Sequence, residues 1–299
     1  MRAHGLVLVD KPAGMTSRQV TSIVSKIYQQ KRAGHLGTLD PLATGLLPIL
    51  IGKATRLGPY LEAADKEYNA QIKLGQATDT MDSEGMLLAE KPVPELGNEQ
   101  IIAALRKFQG EILQTPPMYS ALKHEGKRLY DLARKGETVE LKPRKVTIFE
   151  IRLNGFDGKV IDAFVRCSPG TYIRALANDL GNQLGCGAHL AGLRRLKVGK
   201  FTVDKAMELS KLNRENCMEH LIPMEDVLDF EKVTLSDEDG FKIRDGMAVP
   251  LKNAGITDRP YGAIIQVSSK PAFAICIVIE KDGAPWLKPD KVFPAEEIE

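Results

Sequence analysis

Residues 34–49 read GHLGTLDPLATGLLPI, in which one aspartate, Asp40, stands among Gly34, Gly37 and Gly45 and directly before Pro41. An Asp-Pro pair in a loop is ordinarily a turn: the carboxylate accepts a backbone hydrogen bond and proline fixes the next φ. This stretch asks for more. The glycines permit tight backbone paths, Pro41 limits the freedom of the loop, and the apolar run 46–51 anchors its far end in a core. A carboxylate held so rigidly can serve as a nucleophile or a general base. A nucleophilic carboxylate must be ionised; burial raises its pKa and a nearby cation lowers it. Arg32, Lys53 and Arg174 are the candidate cations, and the sequence does not choose among them.

Outward from this stretch, residues 5–9 (GLVLV) read as a buried strand followed by a turn, Asp10-Lys11-Pro12-Ala13-Gly14. Thr16 or Ser17 caps a helix with Val20, Ile23, Val24 and Ile27 on one stripe, and the opening stretch then follows as a loop. Residues 66–75 alternate: Tyr68, Ala70, Ile72 and Leu74 share the inward face, Asn69, Gln71 and Lys73 the other. Helices are expected over 98–108 and, with a basic character, over 126–136. KVTIFEIRL and KVIDAFVRC read as two strands joined by a turn containing Asn154, Gly155, Asp157 and Gly158. In SPGTYIRALANDLGNQL, Thr171 is the expected N-cap and Ile173, Leu176, Ala177 and Leu180 the buried stripe, flanked in the first turn by Tyr172 and Arg174. From 205 to 230 the chain reads as helical and acidic. Beyond 231, KVTLS, MAVPL, GAIIQVSS and AFAICIVIE read as short strands between Gly, Pro and Asp turns. The fold class is α+β, with a mixed domain over 1–230 and a small β module over 231–299.

With 299 residues, 43% hydrophobic and 27% charged, the chain has the composition of an ordinary soluble globular protein of one large or two smaller domains. Lys plus Arg number 41 against 39 Asp plus Glu, so the net charge of +2 does not announce a nucleic-acid partner. Basic runs do occur: Arg194, Arg195, Lys197 and Lys200, and again Lys123, Lys127 and Arg128. Such runs are usually solvated faces, yet several on one domain can track a phosphate backbone. Cys167, Cys186, Cys217 and Cys276 form no C-x-x-C pair, which indicates reduced thiols, and Cys186 with His189 lacks the second half of a zinc site. The N-terminal apolar run is too short for a signal peptide or a membrane span, which points to a cytoplasmic protein.

Several motifs are rejected. Between Gly45 and Gly52 six residues intervene and Ala54 follows Lys53, so GLLPILIGKAT is no Walker A loop. Ser120 and Lys123 fit S-x-x-K without its partner tripeptides. No metalloprotease helix, EF-hand loop, dinucleotide fingerprint or G-x-S-x-G is present. Gly34-His35-Leu36-Gly37 fits G-x-x-G, which alone is close to noise.

GHLGTLDPLATGLLPI resembles the aspartate motif of the bacterial tRNA pseudouridine-55 synthases. The resemblance continues through DKPAGMTS (10–17), LGQATDTMDSEG (74–85), PPMYSALKHEGKRLYDLAR (116–134), GTYIR (170–174) and GAHLAGLRRLKVGKF (187–201). More loosely, IRDGMAVP (243–250) resembles a PUA-type RNA-binding module. The resemblance implies a mixed, largely antiparallel catalytic sheet and isomerisation of a T-loop uridine of tRNA after base flipping, with no cofactor or metal. It implies that Asp40 is the nucleophile, that Tyr68 stacks on the uracil, and that Arg174 pairs with Asp40 and keeps it ionised. Tyr172 and Leu193 would line the uracil pocket, His35 would meet the RNA where the base leaves the stack, and Lys11-Pro12 would be structural near Tyr68. Leu36, where the family often has Thr, and Pro169, where a basic residue is common, depart from the pattern. The implied partner is the T stem-loop of tRNA, bound by a monomer with no membrane or obligatory protein partner. Two other readings use the same residues: a non-catalytic RNA-binding or folding factor, and a guide-RNA-dependent enzyme acting on ribosomal RNA.

Overall fold

The structure, a computed structural model, describes residues 3–298 apart from 121–122, 125–126, 130–138 and 140. The chain opens with β1 (Gly5–Lys11), α1 (Ser17–Ile27), β2 (Ala33–His35), β3 (Thr44–Ile51), α2 (Gly58–Glu62) and β4 (Lys66–Leu74). A hairpin of β5 (Gln76–Thr78) and β6 (Leu87–Glu90), then α3 (Asn98–Arg106), β7 (Gly110–Gln114) and a two-residue-stranded hairpin of β8 (Lys123–His124) and β9 (Lys127–Arg128) follow. Next come β10 (Arg144–Phe156), β11 (Val160–Cys167), α4 (Ile173–Leu184), β12 (Ala188–Val198), β13 (Phe201–Thr202), β14 (Met207–Glu208) and β15 (Leu221–Pro223). The last stretch holds β16 (Glu231–Thr234), α5 (Asp237–Arg244), β17 (Val249–Pro250), β18 (Ile264–Ser268), β19 (Ala272–Lys281), β20 (Ala284–Pro294) and α6 (Ala295–Ile298).

An 11-stranded mixed sheet runs β14-β1-β3-β12-β4-β11-β10-β7, with β2, β13 and β15 paired at its sides. Its neighbours are antiparallel except β1–β14 and β3–β12. A second sheet, β16-β18-β19-β20-β17, is built from the residues after 231. The alternation read from β4 holds: Tyr68, Ala70, Ile72 and Leu74 are buried while Asn69 and Gln71 are exposed. Their buried face packs against Ile101 and Leu105 of α3 and Ile173, Leu176, Ala177 and Leu180 of α4. Along the sheet's first half, Val20 and Val24 of α1 close a core with Val7, Val9, Ile49 and Ile51. Thr16 caps α1 through a capping box with Gln19.

Several expectations are corrected. The stretch 34–49 is a loop only over 36–43; its two ends are β2 and β3, because the apolar run pairs along β1. Asp10 and Lys11 belong to β1 rather than to a turn. Ile23 on α1 is exposed, since the buried stripe is narrower than the apolar one. Asn154 and Gly155 lie within β10, and the turn is closed by the Asp157 carboxylate, which accepts the N–H groups of Lys159 and Val160. Residues 205–230 form 3-10 turns and short strands, not an α-helix; β14 and β15 are drawn onto the edges of β1, and Asn213 organises the turn between. The helix expected over 126–136 lies mostly outside the described residues, and Lys127–Arg128 are strand. β12, β20 and α5 carry no pattern that the alternation rule recognised. Among the described residues, no helix is long and apolar enough to cross a membrane.

Candidate active site

The loop 36–43 is tied to its surroundings at each turn of its path. The Ser17 hydroxyl donates to Leu39 O at 2.8 Å and accepts Leu39 N–H at 2.8 Å. Gly14 N–H donates to Pro41 O at 2.8 Å. Beneath it, fully buried Lys11 spreads its ammonium over three carbonyls: Pro12 at 2.8 Å, Pro41 at 3.2 Å and Ala43 at 2.7 Å. Burial pushes the Lys11 ammonium down to about 8, against the attraction of Asp40 and Glu84. Lys11, for which the resemblance implies a mainly structural role, forms the floor of the Asp40 loop.

Asp40 keeps its side chain 33% exposed, and the cation that reaches it is Arg174. Arg174 Nε stands 3.0 Å from Asp40 Oδ2, and a terminal nitrogen donates to Oδ1 at 3.4 Å. The same guanidinium pairs with Asp82 Oδ2 at 3.3 Å and donates to Thr80 O at 3.0 Å and Tyr119 O at 2.7 Å. One buried fork therefore gathers three loops, and a planar donor set suits that task as a lysine would not. Tyr172, not Thr171, is the N-cap of α4, and Arg174 is its second residue. The Thr171 hydroxyl instead donates to Ser168 O. Gln114, almost fully buried, holds the Tyr172 backbone at both ends, accepting its N–H at 2.8 Å and donating to its carbonyl at 3.1 Å.

The electrostatic balance differs from a simple ion pair. Burial raises the Asp40 pKa above the usual carboxylate value; Arg174 and Lys11 oppose that, and Asp82 adds to it. Arg174 thus limits the rise rather than reversing it. Glu84 is raised as well, first by burial and then by Asp82 and Asp40. Asp82 was not singled out from the sequence. Its signal was available in TDTMDSEG, where Thr80 Oγ1 donates to Asp82 Oδ1 at 2.5 Å and Glu84 N–H donates to the same oxygen at 3.1 Å.

Tyr68 and Leu193 reach the same face through a β-bulge. In β12, Leu190 pairs with Ile72, yet Gly192 pairs with Gln71, so Ala191 is an extra residue. Without it the strict alternation from Leu190 would place Leu193 and Arg195 on the outer face. With it, Leu193 sits opposite Ala70 and Arg195 opposite Tyr68, both facing inward. Leu193 packs half-buried on the core under α4 and also borders a groove of about 500 Å³ that is lined largely by the polar Asn69, Gln71, Asn154, Asp162 and Arg194 and not by Asp40, Tyr68 or Tyr172. His35 ends β2, half-buried, with its pKa lowered by burial and by the Arg195 charge. Burial raises the Tyr68 hydroxyl, against the pull of Arg195, and burial raises that of Tyr172.

The basic run 194–200 does not form the free phosphate track considered above. Arg195 is 1% exposed, Arg194 makes a two-pronged pair with Asp10 at 2.6 and 3.1 Å, Lys197 pairs with Glu67, and Lys200 with Asp229.

Residues 25–173 match the TruB family pseudouridylate synthase N-terminal domain, and 174–229 the tRNA pseudouridylate synthase B C-terminal domain. A curated relative named tRNA pseudouridine synthase B, from Coxiella burnetii, is 45% identical over 84% of this chain and 84% of its own. The chain belongs to the TruB pseudouridylate synthase family. A second relative of that name, from Methylobacillus flagellatus, is 47% identical over 82% of each chain. Among solved structures, a chain of an archaeal box H/ACA sRNP complex superposes with a TM-score of 0.71 at 25% identity, covering 100% of this chain and 89% of its own. The two family segments meet between Ile173 and Arg174, within the first turn of α4.

Proposed function

We infer that this protein isomerises uridine 55 in the T loop of tRNA to pseudouridine, with Asp40 as its catalytic carboxylate. The observation that carries the reading is the Asp40–Arg174 pair at 3.0 Å, set in a loop tied by Ser17, Gly14 and Lys11, in a member of a pseudouridylate synthase family. The relatives' names support tRNA as the substrate. The reaction breaks N1–C1′, turns the base and joins C5 to C1′. A target base within folded RNA must first be flipped out, at a cost of a few kcal/mol. Tyr68, Tyr172 and Leu193 then offer apolar surface to a planar neutral base and exclude water that would intercept a glycosyl intermediate. His35, at the end of the strand leading into the loop, meets the RNA where the base leaves the stack. The segments 1–230 and 231–299 serve as catalytic domain and RNA-binding module.

Isomerisation expels the hydrogen at C5, so tritium release from a C5-tritiated tRNA transcript reports the chemistry directly. Release is expected from wild type and not from Asp40→Asn, and not from a transcript carrying cytidine at the T-loop target. Binding of tRNA by Asp40→Asn should stay within about threefold of wild type, since the carboxylate is not a backbone contact. Tight binding without release by wild type would instead mark a non-catalytic RNA-binding protein.

A further inference from the structure

Arg195 is a buried charge that the chemistry above does not use. Its side chain is among the largest that are fully buried, on a strand in the middle of the sheet. Nε donates to Leu46 O at 2.7 Å, and a terminal nitrogen donates to Gly37 O at 3.0 Å and Leu36 O at 3.4 Å. Those carbonyls stand on both sides of Asp40 in the chain. The Tyr68 hydroxyl lies within hydrogen-bonding reach of the same guanidinium, and the two residues are direct cross-strand partners. Space for the group is kept by Gly37, where an added Cβ would stand 3.1 Å from the guanidinium and φ is +74°.

Among the described residues the partners of this cation are carbonyl and phenol oxygens, not a carboxylate, so its charge is buried without a counter-ion and its desolvation is not offset by one. An apolar side chain would fill the space with less penalty. A guanidinium has donors and no acceptor. The Tyr68 oxygen facing it must therefore accept, which turns the one hydroxyl proton of Tyr68 away from Arg195.

We propose that Arg195 is a positioning residue that locks Tyr68 and both ends of the Asp40 loop into one unit and orients the Tyr68 hydroxyl as a hydrogen-bond donor at the edge of the site. This rests on the roles assigned above to Asp40 and Tyr68. With its proton turned from Arg195, the Tyr68 hydroxyl is a neutral donor at the edge of the site while its ring faces the base, and the bonds from Arg195 to the carbonyls of Leu36, Gly37 and Leu46 keep the nucleophile's loop in register with it.

The test is Arg195→Lys, which keeps the charge and loses the fork, assayed by tritium release together with a melting curve. In the folded variant kcat is expected to fall about tenfold to a hundredfold with KM within about threefold, as a misplaced catalytic group would produce. In a Tyr68→Phe background the same substitution should cost less than half as much on a logarithmic scale, because the hydroxyl it positions is gone. Wild-type kcat in folded Arg195→Lys, or full additivity with Tyr68→Phe, overturns the proposal. Should Arg195→Lys not fold, Gly37→Ala presses a methyl group onto the guanidinium and leaves Arg195 in place. A selective loss of kcat supports the proposal there, and an unchanged kcat overturns it. Failure of the underlying reading is seen separately, as absence of release by wild type or retention of release by Asp40→Asn.

Discussion

At Asp40 two influences compete, and their balance sets a pH dependence. In the catalytic role proposed above the carboxyl has to be ionised, and its pKa lies above the ordinary value because burial outweighs Arg174 and Lys11. Activity is therefore expected to fall as pH drops through a value above the usual carboxylate range. Asp82→Asn removes an anion that raises Asp40 and should move that acid limb to lower pH. Arg174→Met removes the opposing cation and should move it higher. Both shifts are read from kcat/KM profiles, and shifts of the same sign would contradict the assignment of these two neighbours. Stability follows with the opposite preference. A group whose pKa is raised on folding contributes stability below its unfolded pKa and loses it as pH rises through the folded one. At neutral pH ionised Asp40 thus destabilises the fold, and Asp40→Asn should melt at a higher temperature than wild type by calorimetry. A lower melting temperature would mean that the attraction of Arg174 exceeds the desolvation cost.

At the scale of elements, the site depends on how β3 meets β12. These strands run parallel, with Gly45 opposite Arg195, and an added Cβ at Gly45 would stand 2.3 Å from the Arg195 carbonyl oxygen. The glycine also has φ +98°, a conformation that side chains resist. Gly45→Ala is expected to destabilise by at least about 2 kcal/mol in urea unfolding, combining clash and backbone strain. A loss under about 0.5 kcal/mol, typical of a surface change, would show that the two strands separate easily. The bulge at Ala191 acts on the same strand: one extra residue decides whether Leu193 and Arg195 face the site or solvent.

At the scale of the whole molecule, the two sheets share a core. Phe273, Ile275 and Phe293 of the second sheet pack with Leu6, Leu46, Leu50 and Leu57 of the first part of the chain. The Arg56 guanidinium lies 4.8 Å over the Phe293 ring and donates to Val292 O at 2.7 Å. Tyr60 donates to Asp290 and stacks edge-on against Phe230 at 5.6 Å. Burial of this kind couples the parts, so calorimetry should show one cooperative transition rather than two. Phe293→Ala should cost about 3–5 kcal/mol in that transition. A separate low-temperature transition that alone shifts would show the second sheet folding independently.

The sequence by itself determined the pieces whose signal is local. Asp40 announced itself through the glycines and Pro41 around it, Tyr68 through strict alternation along nine residues of strand, and the buried stripe of α4 through its helical spacing. The family resemblance then named Arg174 as the partner of Asp40, and the structure brings the two into contact. Only the tertiary structure decided what depends on partners distant in the chain. Lys11 and Arg195 look like solvated charges in any window, because a buried cation is recognisable only by the carbonyls that come to it from other loops. Asp82 joins the site through a guanidinium 92 positions further along, and nothing in TDTMDSEG states that distance. The inward turn of Leu193 rests on a bulge, which is a property of two paired strands and not of either alone.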